Sequence, residues 1–123
     1  ERIALATEAF AGNPKIRVTG YNKLTVDACR EIDAQVIVRG LRVFSDFEFE
    51  FRMALANHRL ATDIESIALI THEEHTFISS TTVKEIAMLD GDVSSMVPPH
   101  VFLALKDKIA GMEEFTVANI PRD

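Results

Sequence analysis

Short β-branched runs that alternate with amphipathic stretches most constrain the fold of this 123-residue chain. Residues 36–38 and 67–70 are apolar runs of the kind that form strands buried on both faces of a sheet. Residues 15–19 alternate in polarity, as a half-buried strand does. Because helical patterns separate these three runs, the sequence predicts an α/β fold with a mainly parallel sheet.

Five stretches carry apolar residues at the spacing of an amphipathic helix. They are residues 2–10, 24–32, 45–60, the segment after the 79–82 hydroxyl cluster, and about 100–110. Ser45 and Glu48 have the spacing of a capping box at the start of the third stretch. We expect the third helix to bury Phe47, Phe51, Ala54 and Leu55, and the fourth to bury Val83, Ile86 and Ala87. Gly111 is typical of a helix end, so we predict one domain over residues 1–123 with a tail from 111.

Composition excludes several classes of protein. Hydrophobic residues make up 47% and charged residues 26%, which is typical of a globular domain. The net charge of −6 comes with scattered Lys and Arg, which argues against a nucleic-acid or anionic-membrane surface. Cys29 is the single cysteine and cannot form an intrachain disulfide, so we expect a reducing, cytoplasmic compartment. We see no membrane span and no leader.

Polar residues that follow the predicted strands are the candidates for binding. In open α/β sheets, ligands bind at the carboxyl ends of the strands. Three segments meet this condition: residues 20–25, 39–42 and 71–81.

The Arg39-Gly40-Leu41-Arg42 segment directly follows the predicted strand at 36–38. Two guanidiniums beside a glycine suit a phosphate, because forked charged donors then lie beside accessible backbone N–H groups. Alternatively, both arginines are surface groups paired with Asp46, Glu48 and Glu50. Spacing alone leaves both interpretations open.

The Ile78-Ser79-Ser80-Thr81-Thr82 run leads into a predicted helix. Hydroxyls at a helix N-terminus form an anion site, because the first N–H groups of a helix lack intrahelical partners. Simple capping is the alternative, since Thr82 and Glu85 also have capping-box spacing.

The His72-Glu73-Glu74-His75 segment contains residue types that bind metals. We expect solvated loop side chains instead and predict no metal site, because the paired helical E-x-x-H spacing is missing. The sequence also contains no G-x-S-x-G, Walker or G-x-G-x-x-G motif.

Two segments together resemble signatures of the bacterial phosphopantetheine adenylyltransferases. The first is Arg39-Gly40-Leu41-Arg42-x-x-x-Asp46-Phe47-Glu48-x-Glu50, and the second is Thr76-Phe77-Ile78-Ser79-Ser80-x-x-Val83-Lys84-Glu85. Their separation matches the family without gaps, and the similarity runs from Glu1 to about Ile109. The resemblance implies a Rossmann-like nucleotidyltransferase fold, a homohexamer, ATP with Mg²⁺, phosphopantetheine as the second substrate, and coenzyme A as a candidate inhibitor.

The resemblance also implies roles for individual residues. The phosphopantetheine set is Arg39, Leu24, Thr25, Asn57 and Glu85. The ATP set is Gly40, Leu41, Arg42, Glu50, His75, Thr76, Phe77, Ile78, Ser79, Ser80 and Thr81. The implied reaction is attack by the phosphopantetheine phosphate on the α-phosphorus of ATP, which requires no protein nucleophile.

The sequence departs from the family in one respect. Family members open with a strand and a T/H-x-G-H loop whose histidine stabilises the transition state, whereas no Gly-x-His occurs in these residues. We therefore expect the catalytic histidine outside this sequence, in an N-terminal βαβ unit that these residues lack. Without that unit we expect residues 15–19 to lack a neighbouring strand and the 123 residues alone to be unstable. Two alternatives stay open: a catalytically inactive homologue with a binding or assembly role, and a nucleotidyltransferase that acts on another small phosphate.

Overall fold

A computed structural model describes residues 1–118 of the chain, and side chains as far as residue 112. The elements are α1 (Arg2–Phe10), α2 (Thr25–Glu31), β1 (Val36–Leu41), α3 (Phe44–Leu60), β2 (Glu65–Ile70), a 3₁₀ turn (Glu73–His75), α4 (Ser80–Met88) and α5 (Pro99–Ala118). They form two compact units. One comprises Gly20–Phe77, which we call the sheet unit, and the other comprises Glu1–Thr19 with the chain from Ile78 onward, which we call the helical unit.

The sheet unit is a β-α-β arrangement that confirms the predicted parallel α/β fold. β1 and β2 pair in parallel from Val36 opposite Glu65 to Leu41 opposite Ile70. The intervening α3 packs on both strands, as a parallel connection requires. The core of this unit consists of Val26 and Cys29 from α2, together with Ala61 and Ile64 from the turn after α3. Ala34 and Ile37 pack against that cluster.

The packing face of α3 differs from the predicted one. Phe47, Phe51 and Leu55 are 50%, 54% and 56% exposed rather than buried. The half-buried residues are Asp46, Glu50, Ala54 and Asn57, which follow one another at the i, i+4 and i+3 spacing of one helical face. Because α3 is apolar on more than one side, its sequence pattern does not determine which side packs on the sheet. Of the four residues predicted to be buried, only Ala54 lies on the half-buried face.

The helical unit has its own packed residues. Val83 of α4 and Val93 in the following loop are buried, and Ile86 and Ala87 are half-buried as predicted. α1 packs on α5, where a ring nitrogen of His100 lies 2.9 Å from the Leu5 carbonyl oxygen. Within the described residues, no helix is both long and apolar enough to cross a membrane.

Three sequence predictions about the elements are wrong. Residues 15–19 form no strand, because no other strand in residues 1–118 pairs with them and an isolated strand gains no ladder hydrogen bonds. α3 begins at Phe44 with Val43 as its N-cap, so Ser45 lies inside the helix and caps nothing. α5 continues through Gly111 to Ala118, since a single glycine costs a helix only about 1 kcal/mol. Part of the predicted tail, residues 119–123, lies outside the described residues.

Gly91 lies in a tight turn after α4, so its substitution should be costly. The Gly91 N–H donates to the Ile86 carbonyl at 2.8 Å and the Asp90 N–H donates to the Ala87 carbonyl at 3.1 Å, which is the Schellman pattern. A Cβ on Gly91 would lie 2.4 Å from Ile86 Cγ2 and 2.9 Å from the Ile86 oxygen. We expect Gly91→Ala to lower the free energy of unfolding by about 1–3 kcal/mol in denaturant titrations. Gly12→Ala is the control, because a Cβ there meets nothing within 4 Å. If both variants lose the same free energy of unfolding, the predicted clash at Gly91 is not the cause of the loss.

Candidate active site

The Arg-Gly-Leu-Arg segment lies mostly within β1 and not after it. β1 is three residues longer than predicted, because Arg39, Gly40 and Leu41 continue the parallel ladder opposite Ala68, Leu69 and Ile70. The ladder ends where the Thr71 N–H donates to the Leu41 carbonyl at 2.8 Å. Only Arg42 follows the strand. The segment still lies at the carboxyl end of β1, where ligands bind in this class of sheet.

Arg39 and Glu50 form a bidentate ion pair between β1 and α3. Arg39 Nε donates to Glu50 Oε2 at 2.9 Å, and Arg39 Nη2 donates to Glu50 Oε1 at 2.8 Å. The hydrogen bond from Arg39 lowers the pKa of Glu50, and the same bond raises the pKa of Arg39. The Glu50 side chain is 14% exposed and the Arg39 side chain 55% exposed. Solvent and ligands can therefore reach the guanidinium while the carboxylate is largely covered.

Arg42 pairs with Asp46 in the first turn of α3. Its Nε donates to Asp46 Oδ2 at 3.1 Å and its backbone N–H donates to the same oxygen at 3.2 Å. The side-chain hydrogen bond from Arg42 lowers the pKa of Asp46. Glu48 pairs with Arg52 instead, at 2.9 Å. The predicted ion pairs of the two arginines are thus observed with Asp46 and Glu50. A phosphate can still bind the same arginines, because a guanidinium has more N–H donors than one carboxylate uses.

A cavity of about 240 Å³ lies between α3 and the β1–β2 sheet. Its lining includes Thr25, Arg39 and Asn57 from the predicted phosphopantetheine set. Leu41 and Glu50 from the predicted ATP set line it as well. Most of the remaining wall is apolar, including Ile37, Phe47, Phe51, Met53, Ala54, Ile67 and Ala68. A largely apolar cavity with a few polar groups and one cation suits a ligand that combines an apolar part with an anionic group.

One polar residue at this cavity was not predicted from the sequence: Ser66, which lines the cavity from β2, opposite Ile37. Tyr21 lies in the predicted 20–25 segment and does not line the cavity, and its hydroxyl is hydrogen-bonded to Thr25 Oγ1 at 2.9 Å. The alternation of β2 could have placed Ser66 on the face of Ala68, since residues two apart share a face. Leu24 is the N-cap residue of α2, is 55% exposed and is not among the residues that line the cavity.

Gly40 leaves open space beside the strand. A Cβ there would lie 3.8 Å from Thr71 Oγ1, which is an ordinary contact. The fold itself therefore tolerates a side chain at this position.

The His75-Thr76-Phe77 part of the predicted ATP set lies in and after the 3₁₀ turn of the sheet unit. His75 is exposed, with its ring 3.5 Å from Glu74 Oε1. Thr76 Oγ1 donates to the Glu73 carbonyl at 2.9 Å, and the Phe77 side chain is 54% exposed. Among the side chains that the structure describes, as far as residue 112, no group of three or more His, Cys, Asp or Glu could hold a metal ion.

The other part of the predicted ATP set belongs to the helical unit, at the start of α4. Ser79 is the N-cap residue, and its Oγ accepts the Thr82 N–H at 3.1 Å. The capping interpretation of this run is therefore observed, but Ser79 is the cap. Thr82 lies inside α4, so it cannot form the predicted capping box with Glu85. Ile78 is half-buried, whereas Ser80, Thr81 and Glu85 are exposed.

The cap predicts an effect on stability. We expect Ser79→Ala to lower the free energy of unfolding by about 1 kcal/mol, because the Thr82 N–H loses its acceptor. Ser80→Ala, one residue into the helix, is the matched control and should change stability by less than about 0.5 kcal/mol. Equal effects in thermal melts would show that the Ser79 cap contributes nothing.

Comparisons with known proteins agree with this architecture. The family model described as cytidylyltransferase-like matches residues 1–86. The phosphopantetheine adenylyltransferase of Methylococcus capsulatus is 52% identical over 111 residues, which are 90% of this chain and 68% of that protein. The phosphopantetheine adenylyltransferase of Herpetosiphon aurantiacus is 46% identical over 93% of this chain and 69% of its own length. That of Paraburkholderia phymatum is 44% identical over 97% of this chain and 71% of its own length.

The parallel α/β architecture, together with the family model that matches residues 1–86, places the chain among the nucleotidyltransferase-like proteins. The chain belongs to the cytidylyltransferase-like family and, within it, to the phosphopantetheine adenylyltransferases.

Proposed function

We propose that this chain acts in coenzyme A biosynthesis by transferring the adenylyl group of ATP to phosphopantetheine, which gives dephospho-coenzyme A and pyrophosphate. The similarity to relatives that carry the name phosphopantetheine adenylyltransferase, at 44–52% identity over most of the chain, carries the proposal. The cavity supports it, because Thr25, Arg39 and Asn57 line one space.

The reaction joins two phosphates without a protein nucleophile. A phosphate oxygen of phosphopantetheine attacks the α-phosphorus of ATP and forms a new P–O bond. The bond between the α-phosphorus and the bridging oxygen to the β-phosphate breaks, and pyrophosphate leaves with that electron pair. The protein contributes positioning and the stabilisation of charge on the phosphoryl oxygens.

Arg39 is the residue proposed to hold the phosphopantetheine phosphate. Its guanidinium is half-exposed and has N–H groups beyond the two that Glu50 accepts. The apolar wall of the cavity suits the arm of phosphopantetheine, and Thr25 and Asn57 offer polar groups along it. Leu24 and Glu85 complete the proposed set on the strength of the resemblance alone.

The adenosine of ATP is proposed to lie against Gly40, Leu41, Arg42 and Glu50. The triphosphate is proposed to bind the segment from His75 to Thr81, because this segment leads into the N-terminus of α4, and a helix N-terminus favours anions. Mg²⁺ is proposed to arrive with ATP as a substrate complex, because phosphate oxygens are ligands that this cation prefers. A homohexameric assembly in the cytoplasm and inhibition by coenzyme A complete the proposal.

Gly40→Ala tests the adenosine side of this proposal. The fold has room for the new methyl group, so we expect unchanged thermal stability. A backbone that contacts adenosine closely would lose that contact, and we expect the KM for ATP to rise about tenfold, which corresponds to about 1.4 kcal/mol. An unchanged KM for ATP would show that the nucleotide does not lie against Gly40.

A further inference from the structure

Glu50 is the most covered carboxylate among the ion pairs that the structure describes, and its place in α3 accounts for this. It lies on the same helical face as Asp46, Ala54 and Asn57, the half-buried face that packs on the sheet. Its side chain is 14% exposed, whereas that of Glu48, two residues earlier, is 80% exposed. A covered carboxylate without a partner would be destabilising, and Arg39 supplies that partner.

The contact between Glu50 and Arg39 fixes an orientation as well as a distance. Two parallel N–H···O bonds of 2.9 and 2.8 Å hold the plane of the guanidinium against the plane of the carboxylate. An arginine on a strand edge otherwise has many rotamers, and ordering them costs binding energy. The ion pair with Glu50 itself orders the side chain, so a ligand that binds the remaining N–H groups does not bear this cost.

We propose that Glu50 is a positioning residue that orients the Arg39 guanidinium toward the phosphate of phosphopantetheine. The inference rests on the proposed function and deepens it, because it gives Glu50 a role on the phosphopantetheine side besides the adenosine side. Glu50 acts through Arg39 and not by its charge, since a negative carboxylate alone repels a phosphate. The charge of the pair is close to zero, and the gain comes from pre-ordered N–H donors.

Calorimetric titration of phosphopantetheine into the full-length protein tests the inference. We expect Glu50→Gln to weaken binding about tenfold, because an amide accepts only one of the two bonds. Glu50→Asp should weaken it similarly, since the charge remains but the shorter side chain cannot span the fork. Glu48→Gln is the matched control and should bind as the parent protein does. In the Arg39→Ala background, Glu50→Gln should cause no further loss, and binding should be equal or slightly tighter, because the unpaired negative charge is removed.

Three results would overturn the inference. Glu50→Gln could bind phosphopantetheine as tightly as the parent protein or more tightly, or it could lose affinity for ATP alone. In the Arg39→Ala background, Glu50→Gln could weaken phosphopantetheine binding by the same factor as it does in the parent protein. If the proposed function is wrong, the parent protein binds no phosphopantetheine, which distinguishes that failure from the three results above.

In that case an NMR measurement still tests whether Glu50 orients Arg39, through the ¹⁵N-resolved Nε–H signal of Arg39. Slow solvent exchange of that proton in the parent and in Glu48→Gln, but not in Glu50→Gln, supports the positioning role, whereas equal exchange in all three overturns it.

Discussion

Replacing Arg39 with alanine is expected to lower kcat/KM for phosphopantetheine by about 10²–10³-fold. The change removes the half-exposed guanidinium at the cavity, and losing one charged donor at a reacting phosphate costs about this much. It also leaves the covered Glu50 carboxylate without its partner, so a negative group then faces the incoming phosphate. Initial rates of pyrophosphate release at varied phosphopantetheine concentration measure the effect.

Arg52→Ala is the matched control for this substitution. Like Arg39, Arg52 forms an ion pair with a glutamate of α3. Its side chain is 73% exposed, however, its partner Glu48 is 80% exposed, and Arg52 does not line the cavity. We expect its kcat/KM to stay within a factor of about two, because exposed ion pairs contribute little. Thermal melts of both variants identify any loss that comes from unfolding. If the Arg39→Ala protein is folded and as active as the Arg52→Ala control, Arg39 does not bind the phosphopantetheine phosphate.

Ile64→Ala is expected to lower the free energy of unfolding by about 2–5 kcal/mol. Ile64 is 3% exposed and packs with Val26, Cys29 and Ala61 in the core of the sheet unit. In so small a cluster, the removal of one large side chain leaves a space that its few neighbours fill poorly. Urea titration of the full-length protein, followed by circular dichroism, measures the loss.

Ile32→Ala is the control for Ile64→Ala, since it removes the same atoms from a side chain that is 51% exposed. We expect its cost to be less than half that of Ile64→Ala, because less apolar surface returns to water. Equal costs for the two variants would mean that the Val26–Ile64 cluster is not the core that stabilises the sheet unit.

The sequence predicted the elements whose signals are local. α1 ends at Phe10, just before the Gly12-Asn13-Pro14 breaker, and the β-branched run at 36–38 lies in β1. The Ile-Ala-Leu-Ile run at 67–70 lies in β2. Periodicity and turn residues report the preference of each segment by itself, and these preferences agree with the fold.

Features that depend on a distant partner were not predictable from the sequence. β1 continues through Arg39 and Gly40 because β2 offers ladder partners there, and residues 15–19 form no strand because none of the described strands pairs with them. α3 presents Asp46 and Glu50 to the sheet and leaves Phe47 exposed, the reverse of a hydrophobic pattern. Arg39 on β1 and Arg42 directly after it explain this choice, since each binds one of those carboxylates.

In the candidate site, too, residues with a local sequence signal were predictable, and residues placed by a distant partner were not. Arg39 was found because two charged residues flank a glycine near a strand end, which is a local pattern. Ser66 was missed, because its place at the cavity follows from the register that sets it opposite Ile37. The pairing of Arg39 with Glu50 across 11 positions was one of several that spacing allowed, and the geometry of β1 against α3 selects it.

Pyrophosphate release from magnesium ATP by the full-length protein, with and without phosphopantetheine, tests the central claim most directly. We predict that release requires phosphopantetheine and that dephospho-coenzyme A forms in equal amount. Release that proceeds at the same rate without phosphopantetheine, or no release from folded protein, would contradict adenylyl transfer to phosphopantetheine.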